Sequence, residues 1–188
     1  MPPKVKITKA DIIKAALELA KKEGASSLNA RSIARELCCS TQPIFSNFAS
    51  MEELEETVIL AAYELYFGYL KREVEIGKYP PYKSMGWAYI RFAKEERELF
   101  KLVFMRDRGG EGLIPTPDFI ASTEMIMKNN GISLERAELM HLEMWATVHG
   151  IATMIATSFF TPSEELISDM LSDMYQGLCN RHLPEERR

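Results

Sequence analysis

Five small polar side chains lie close together in one short segment and could form hydrogen bonds with the edges of nucleic-acid bases. They are Ser40, Thr41, Gln42, Ser46 and Asn47. Amide groups such as those of Gln42 and Asn47 can bind adenine through two hydrogen bonds, and the methyl group of Thr41 can pack on thymine. We therefore predict that these three residues read bases. For any one of them alone, a solvated helix face is the simpler interpretation.

Residues that could support catalysis or metal binding form no recognisable motif. The three histidines, His141, His149 and His182, lack the HExxH spacing, and no Ser or Cys nucleophile motif with a neighbouring base is present. Two of the three cysteines are adjacent and the third is distant, which fits neither a disulfide framework nor a CxxC metal site. The sequence predicts no catalytic residue, metal site or cofactor, and the free thiols indicate a reducing, cytoplasmic location.

Charge is distributed unevenly along the 188-residue chain. Residues 1 to 50 contain eight Lys and Arg against four Asp and Glu (+4), whereas the remaining residues contain fifteen against twenty-three (−8). A basic segment attracts phosphates while an acidic body keeps the protein soluble, which favours a nucleic-acid partner. The longest uncharged stretch, residues 144 to 163, contains several Thr and Ser together with His, Gly and Pro. It predicts a buried helix and no membrane span.

Capping residues and hydrophobic periodicity predict an all-α protein of about nine helices. Most prolines occur in pairs or near pairs that separate long proline-free stretches. Thr8 and Asp11 form a variant of the capping box at the start of the first helix, and Gly24 is a typical C-terminal stop. Later helices are predicted at about residues 50–77, 82–96, 99–105, 118–129, 133–160 and 163–180.

Two short helices are predicted between the first and the fourth. Asn29 is placed to cap the second helix, and Ser40 the third. Pro43 then lies in the first turn of the third helix, where its missing N–H breaks no intrahelical bond. We expect three residues of this helix to face the core: Ile44, Phe45 and Phe48. Two short capped helices joined by a tight turn have the outline of a helix-turn-helix.

The segment from Leu28 to Leu54 resembles the signature of the TetR family of transcriptional regulators. The matching positions are Ile33, Ala34, Ser40, Ile44, Phe48, Ser50 and Glu53. The resemblance covers about residues 7 to 56, and Trp145, His149 and Gly150 resemble a Trp-His-Gly element in one group of TetR C-terminal domains. It implies a helix-turn-helix DNA-binding domain at residues 1–49 and a helical effector-binding and dimerisation domain at residues 50–188.

The resemblance also implies a ligand-responsive repressor that binds a palindromic operator in double-stranded DNA as a homodimer and is released by a small hydrophobic effector. The residues expected at DNA are Lys4, Lys6, Asn29, Arg31, Ser32, Ser40, Thr41, Gln42, Pro43, Phe45, Ser46, Asn47, Phe48 and Met51. The residues that could line an apolar effector cavity are Trp87, Phe92, Phe104, Met125, Trp145 and His149. An ordinary hydrophobic core with one buried histidine is the open alternative for this second set.

Three residues depart from the family pattern. The family usually has Tyr where this chain has Phe45, Lys where it has Met51, and Gly where it has Cys38. The first two departures remove groups that bind phosphate. We expect three basic residues to compensate: Lys4, Lys6 and Arg31. The alternative is a helical ligand- or protein-binding module whose helix-turn-helix has lost DNA binding.

The last two predicted helices carry many apolar residues. They are Met140, Met144, Ile151, Met154 and Ile155 on one helix and Leu166, Ile167, Met170, Leu171, Met174 and Leu178 on the other. Together they provide more apolar surface than one helix pair is expected to bury alone. This pattern, with the family resemblance, predicts a homodimer formed through the last two helices.

Overall fold

A computed structural model of the protein describes residues 7–107, 109 and 116–183. Within these ranges the chain is helical and contains no β-strand, which confirms the predicted all-α fold. The described helices are α1 (Lys9–Glu23), α2 (Ala30–Glu36), α3 (Gln42–Asn47), α4 (Met51–Ile76), α5 (Pro81–Glu95), α6 (Arg97–Phe104), α7 (Pro117–Asn130), α8 (Leu134–Ala156) and α9 (Glu164–His182). Among them, none combines the length and the apolar character needed to cross a membrane.

The start of α1 follows the predicted capping residue, and α8 and α9 also begin with a side-chain cap. At α1, the Thr8 hydroxyl accepts a hydrogen bond from the Asp11 amide, and the Asp11 carboxylate accepts one from the Thr8 amide. Gly24 ends this helix with a φ of 79°. Ser133 and Ser163 cap α8 and α9 in the same way, because each hydroxyl accepts a hydrogen bond from a first-turn amide.

The end of α8 differs from the prediction, which extended this helix to residue 160. Ser158 takes a left-handed conformation with a φ of 57°. Its amide donates to the Ile155 carbonyl at 3.1 Å, and the Phe159 amide donates to the Met154 carbonyl at 2.9 Å. These two bonds form a Schellman motif and stop the helix at Ala156. The sequence has no glycine at this position that would predict the end of the helix.

The described residues divide into two compact units. Unit 1 contains the described residues of 1–68 and 95–106, and unit 2 contains the described residues of 69–94 and 107–188. These units follow packing, and the functional boundary between residues 49 and 50 stays a prediction. The first part of α4 belongs to unit 1 because Tyr63 and Tyr66 pack their rings on Phe104 of α6, with centroids 5.9 and 5.2 Å apart.

Unit 1 is built around α1, which contacts α2, α3 and α6. Its fully buried side chains include Ile12, Ile33, Ile44, Leu54, Leu99 and Phe100. An ion pair joins α1 to the start of α6, where Nζ of the exposed Lys21 lies 2.6 Å from Oε1 of the buried Glu96. The short helices α2 and α3 therefore both pack on the longer helix α1.

Unit 2 contains α5, α7, α8 and α9, together with the end of α4. A Cβ at Gly86 of α5 would lie only 3.4 Å from the Val148 side chain and 3.9 Å from the Leu171 side chain. Glycine at this position lets α5 approach both α8 and α9 closely. On the same helix, Lys83 Nζ donates hydrogen bonds to the hydroxyls of Ser168 (2.8 Å) and Ser172 (2.9 Å) of α9.

This packing corrects the expectation that the apolar residues of α8 and α9 await a partner. Seven of the eleven are buried within the single chain: Met140, Met144, Ile151, Ile155, Ile167, Leu171 and Leu178. The reason is that α5 and α7 also cover these helices, so the helix pair is not left to bury its apolar faces alone. Of the remaining four, Leu166 and Met174 are exposed, and Met154 and Met170 are half-buried.

Candidate nucleic-acid interface

The second helix begins as the sequence predicts. The Oδ1 atom of Asn29 accepts a hydrogen bond from the Ser32 amide at 3.0 Å, and its Nδ2 donates to the Ser26 carbonyl at 3.3 Å. Asn29 is therefore confirmed as the N-cap of α2. Its side chain already has partners at both ends, which makes its first role a structural one.

The turn between α2 and α3 is a second Schellman motif without glycine. Cys38 is left-handed with a φ of 50°. Its amide donates to the Arg35 carbonyl at 3.1 Å, and the Cys39 amide donates to the Ala34 carbonyl at 2.9 Å. A side chain in this conformation costs about 1 kcal/mol relative to glycine, since its Cβ crowds the following carbonyl. The two hydrogen bonds hold Cys38 in the position where the TetR pattern has glycine.

The third helix has no side-chain cap at its start. Its N-cap is Thr41, whose φ of −71° and ψ of −13° are helical, whereas an N-cap that bonds through its side chain typically has an extended backbone. The prediction that Ser40 caps this helix is therefore wrong, because the chain enters α3 through Thr41 and no side-chain oxygen accepts a hydrogen bond from the first-turn amides. Pro43 lies in the first turn, as predicted.

The six residues of α3 present two different faces. Ile44 is fully buried and Phe48 is 2 % exposed, whereas Phe45 is 56 % exposed. The prediction that Phe45 faces the core is wrong because Ile44 and Phe48, four residues apart, share the inner side of the helix, and Phe45 is rotated by about 100° from Ile44. The outward side carries Gln42, Phe45 and Ser46, all exposed.

The polar side chains of α3 differ in their availability. The Ser46 hydroxyl donates to the Gln42 carbonyl at 2.9 Å, and Asn47 Nδ2 donates to the Pro43 carbonyl at 2.7 Å. Within the described residues, the Gln42 side chain makes no hydrogen bond and is exposed. Among the three predicted base readers, Gln42 is therefore best placed to bind a base through both amide atoms, while Thr41 and Asn47 are half-buried.

A charged framework fixes α3 between α1 and α4. Lys9 Nζ lies 2.9 Å from Glu53 Oε1 and 4.5 Å from the centroid of the Phe48 ring. Glu53 Oε2 accepts a hydrogen bond from the Ala49 amide at 2.7 Å, and the Glu53 amide donates to Ser50 Oγ at 3.2 Å. The hydrogen bond from Lys9 is the main reason that the pKa of Glu53 lies below its usual value.

The basic residues expected at phosphates are only partly described. Lys4 and Lys6 lie outside the described residues, whereas Arg31 of α2 is exposed. Arg35, which the sequence analysis did not select, is also exposed and lies four residues after Arg31 on the same helix. That spacing, which places both residues on one helix face, was the signal in the sequence.

The remaining predicted DNA contacts, Ser32 and Met51, lie at the starts of α2 and α4. Ser32, on the first turn of α2, is half-buried, and its amide is bound by the Asn29 cap. Met51 is the first residue of α4 and is also half-buried. Neither side chain carries a charge, so neither can pair with a phosphate.

The six predicted effector residues are distributed over both units. Phe104 belongs to unit 1, and the other five belong to unit 2. There Trp87 stacks on Tyr79 with ring centroids 5.6 Å apart, and Phe92 meets Tyr69 edge to face at 5.4 Å. Met125 is half-buried on α7. A cavity of about 130 Å³ in unit 2 is lined by Trp87 of this set, together with residues that the sequence analysis did not select.

Two tyrosine–histidine pairs connect α5 and α8. The Tyr82 hydroxyl lies 2.9 Å from His141 Nδ1, and the Tyr89 hydroxyl lies 2.9 Å from His149 Nδ1. Tyr89 follows Tyr82 by seven residues, and His149 follows His141 by eight. Because the two pairs occur in the same order along both helices, α5 and α8 run in the same direction. Trp145 stacks on the His149 ring at 4.9 Å. Burial lowers the pKa of both histidines, that of His141 to about 4.

Comparisons with known proteins do not identify the chain. No protein-family model and no curated protein matches it. Within the part of the chain that the structure describes, no three His, Cys, Asp or Glu side chains lie close enough together to hold a metal ion. The TetR resemblance stays a prediction that depends on residues 28–54.

We expect Cys38→Gly to stabilise the protein by about 0.5 to 1 kcal/mol, because glycine adopts the left-handed conformation without the Cβ penalty but has a more flexible unfolded chain. For a chain of this size, this gain corresponds to an increase in Tm of roughly 1 to 4 °C. Urea denaturation of the reduced protein measures it. Cys39→Gly is the matched control, and an equal or larger gain there would contradict the assignment.

Acidification to pH 5 is expected to cost about 2 kcal/mol of stability through His141 alone. Its folded pKa of about 4 lies below the ordinary histidine pKa of 6.5, so the unfolded chain binds the proton more tightly. The contribution is therefore complete above pH 6.5 and is lost progressively as the pH falls towards 4. Denaturation at pH 7.5 and 5.0 should show a smaller loss in His141→Asn, which retains an acceptor near the position of Nδ1. An unchanged loss in the variant would refute the prediction.

Proposed function

We propose that this protein is a DNA-binding transcriptional regulator that binds duplex DNA as a homodimer and responds to a small effector. One observation carries the DNA-binding half of the proposal. The short helix α3 is anchored by Ile44 and Phe48 while it presents Gln42, Phe45 and Ser46 outward. A helix of six residues is about 9 Å long, which fits within the major groove, about 12 Å wide.

The charges near α3 support the same proposal. Arg31 and Arg35 are exposed on α2, the helix that crosses the DNA backbone in a helix-turn-helix. Lys9 is paired with Glu53 and serves the fold, so the phosphate contacts fall to the two arginines and to Lys4 and Lys6. In this arrangement Phe45 supplies an apolar contact, such as one to a thymine methyl group, where the family pattern has a tyrosine.

Homodimerisation is proposed through the outer faces of α8 and α9. Leu139, Leu166 and Met174 remain 45 %, 43 % and 37 % exposed in the single chain. On α8, Gly150 lies eleven residues, or about three turns, after Leu139, and no atom lies within 4 Å of the position that a Cβ would take there. An open glycine on the same helix face as an exposed leucine allows the backbone of a second copy to approach closely.

DNA recognition makes a prediction that separates base contacts from phosphate contacts. Duplexes selected from a random pool should bind the full-length protein with an affinity that falls as salt rises. Arg31→Ala, Lys4→Ala and Lys6→Ala should each weaken binding to selected and random duplexes about equally, and each should reduce the log-log salt slope by roughly 1.8, because a homodimer loses two contacts of about 0.9 each. Gln42→Ala should weaken only selected duplexes, by about 1 to 3 kcal/mol for each half-site.

Matched controls for these variants are Lys71→Ala for the loss of a cation and Asn129→Ala for the loss of an amide, since both residues are exposed in unit 2. Equal losses on both duplexes for Gln42→Ala would reject its role as a base reader. If the protein ignores duplex DNA even in dilute buffer, the helix-turn-helix is a scaffold and the alternative of a binding module is correct.

Dimerisation makes a second prediction. In Leu139→Glu combined with Met174→Glu, two carboxylates would be buried without partners in the proposed interface, at a cost of several kcal/mol. Light scattering after size-exclusion chromatography should show a dimer for the natural protein and a monomer for this variant. Ile120→Glu, at a residue of α7 that is 47 % exposed, should stay dimeric. A monomeric natural protein, or a dimeric double variant, would contradict the interface.

A further inference from the structure

We propose that the cavity in unit 2 binds a small amphipathic carboxylate, one with a single ring or a short branched alkyl group. The cavity is lined by residues of α5 and α8 and by the segment that leads into α9. It differs from the effector set predicted from the sequence, with which it shares Trp87. The proposal rests on the proposed function only where it identifies this carboxylate as the effector.

The inner wall of the cavity is apolar. Trp87, Ile90, Ile155 and Ile167 are each at most 4 % exposed, and Pro162 is also buried. The volume of about 130 Å³ is close to the roughly 150 Å³ of an engineered apolar cavity that binds benzene. One aromatic ring or a branched chain of four or five carbons therefore fits the apolar part.

The charged side chains that line the cavity are Arg91, Lys94 and Glu164. Arg91 Nε lies 2.6 Å from Glu73 Oε1, and Glu164 Oε2 lies 3.8 Å from Lys78 Nζ. Both carboxylates therefore have a cation beside them. Lys94 makes no ion pair with any described residue, so it provides a positive charge that a ligand can use.

One further feature favours a ligand that accepts hydrogen bonds. Trp87 has a buried indole N–H with no hydrogen-bond partner. An unpaired buried donor costs about 1 to 3 kcal/mol, so an acceptor that reaches this N–H would gain affinity.

The combination selects a carboxylate over other ligand classes. Lys94 would repel a cationic ligand, and a neutral hydrocarbon would leave this charge unused. A phosphate with two charges would need more cationic donors than the one unpaired lysine of the lining. A single negative charge attached to an apolar body matches both Lys94 and the apolar wall.

Calorimetry on the full-length protein without DNA tests the proposal. The probes are benzoate, phenylacetate and 3-methylbutanoate, with phenylacetamide as the neutral counterpart of phenylacetate. We expect phenylacetate to bind at least tenfold more tightly than phenylacetamide. Lys94→Gln should weaken phenylacetate about three- to fivefold, as for a partly exposed charge pair, and leave phenylacetamide unchanged. Trp87→Phe retains an aromatic ring but removes the indole N–H, so it should measurably lower the affinity for the carboxylates.

Lys128→Gln is the matched control, because this lysine is exposed on α7 of the same unit and does not line the cavity. The proposal is overturned if none of the three carboxylates binds at millimolar concentration, if phenylacetamide binds as tightly as phenylacetate, or if Lys94→Gln and Lys128→Gln behave alike. Circular dichroism of each variant verifies that it is folded.

Failure of this proposal is distinguishable from failure of the proposed function. Carboxylate binding by a protein that ignores duplex DNA would preserve the cavity assignment and refute DNA regulation. DNA binding by a protein that binds none of the three acids would support DNA regulation and refute the cavity assignment. If both occur, adding phenylacetate to the DNA complex decides whether the acid is the effector, because an effector must shift the DNA affinity.

Discussion

The burial of Ile44 and Phe48 is the interaction on which the candidate interface depends. A helix of six residues is too short to be stable in water without tertiary contacts, because nucleation costs more free energy than so few hydrogen bonds return. Once these two side chains are buried, the opposite side of α3 must face solvent. Lys9 then fixes the end of the helix, since it lies over the Phe48 ring and pairs with Glu53 at the start of α4. The outward position of Gln42 is thus a consequence of core packing.

In unit 2, helix α5 contributes both to the packing and to the candidate ligand cavity. One part of its surface carries Tyr82 and Tyr89, which bond the two histidines of α8, and another lines the cavity with Trp87 and Lys94. Lys94 directly precedes Glu95, where the chain re-enters unit 1 and continues into α6. A ligand at Lys94 would therefore bind beside the segment that continues into α6, the helix that packs against α1. Any influence on DNA requires that the ligand bind two arrangements of the chain with different affinity.

Helix ends show where sequence patterns succeed and where they fail. Stops and starts that have a local chemical signal, such as Gly24 or the Asn29 side chain, were predicted correctly because the bonds involved join residues at most four positions apart. The left-handed Ser158 carries no such signal, since any residue can occupy that conformation when surrounding contacts offset the strain. The left-handed Cys38 also carries no signal in its own residue type, and the two hydrogen bonds of the turn hold that conformation.

The sequence by itself determined the helical class, most helix bounds and the amphipathic character of α3, because periodicity and capping are properties of neighbouring residues. Only the tertiary structure decided which residues face outward and which meet. Phe45 is exposed although its type favours burial, and the apolar residues of α8 and α9 are covered by α5 and α7. The Tyr82 and His141 pair and the cavity around Lys94 join residues tens of positions apart. Such contacts depend on how helices pack against one another, which local patterns do not specify.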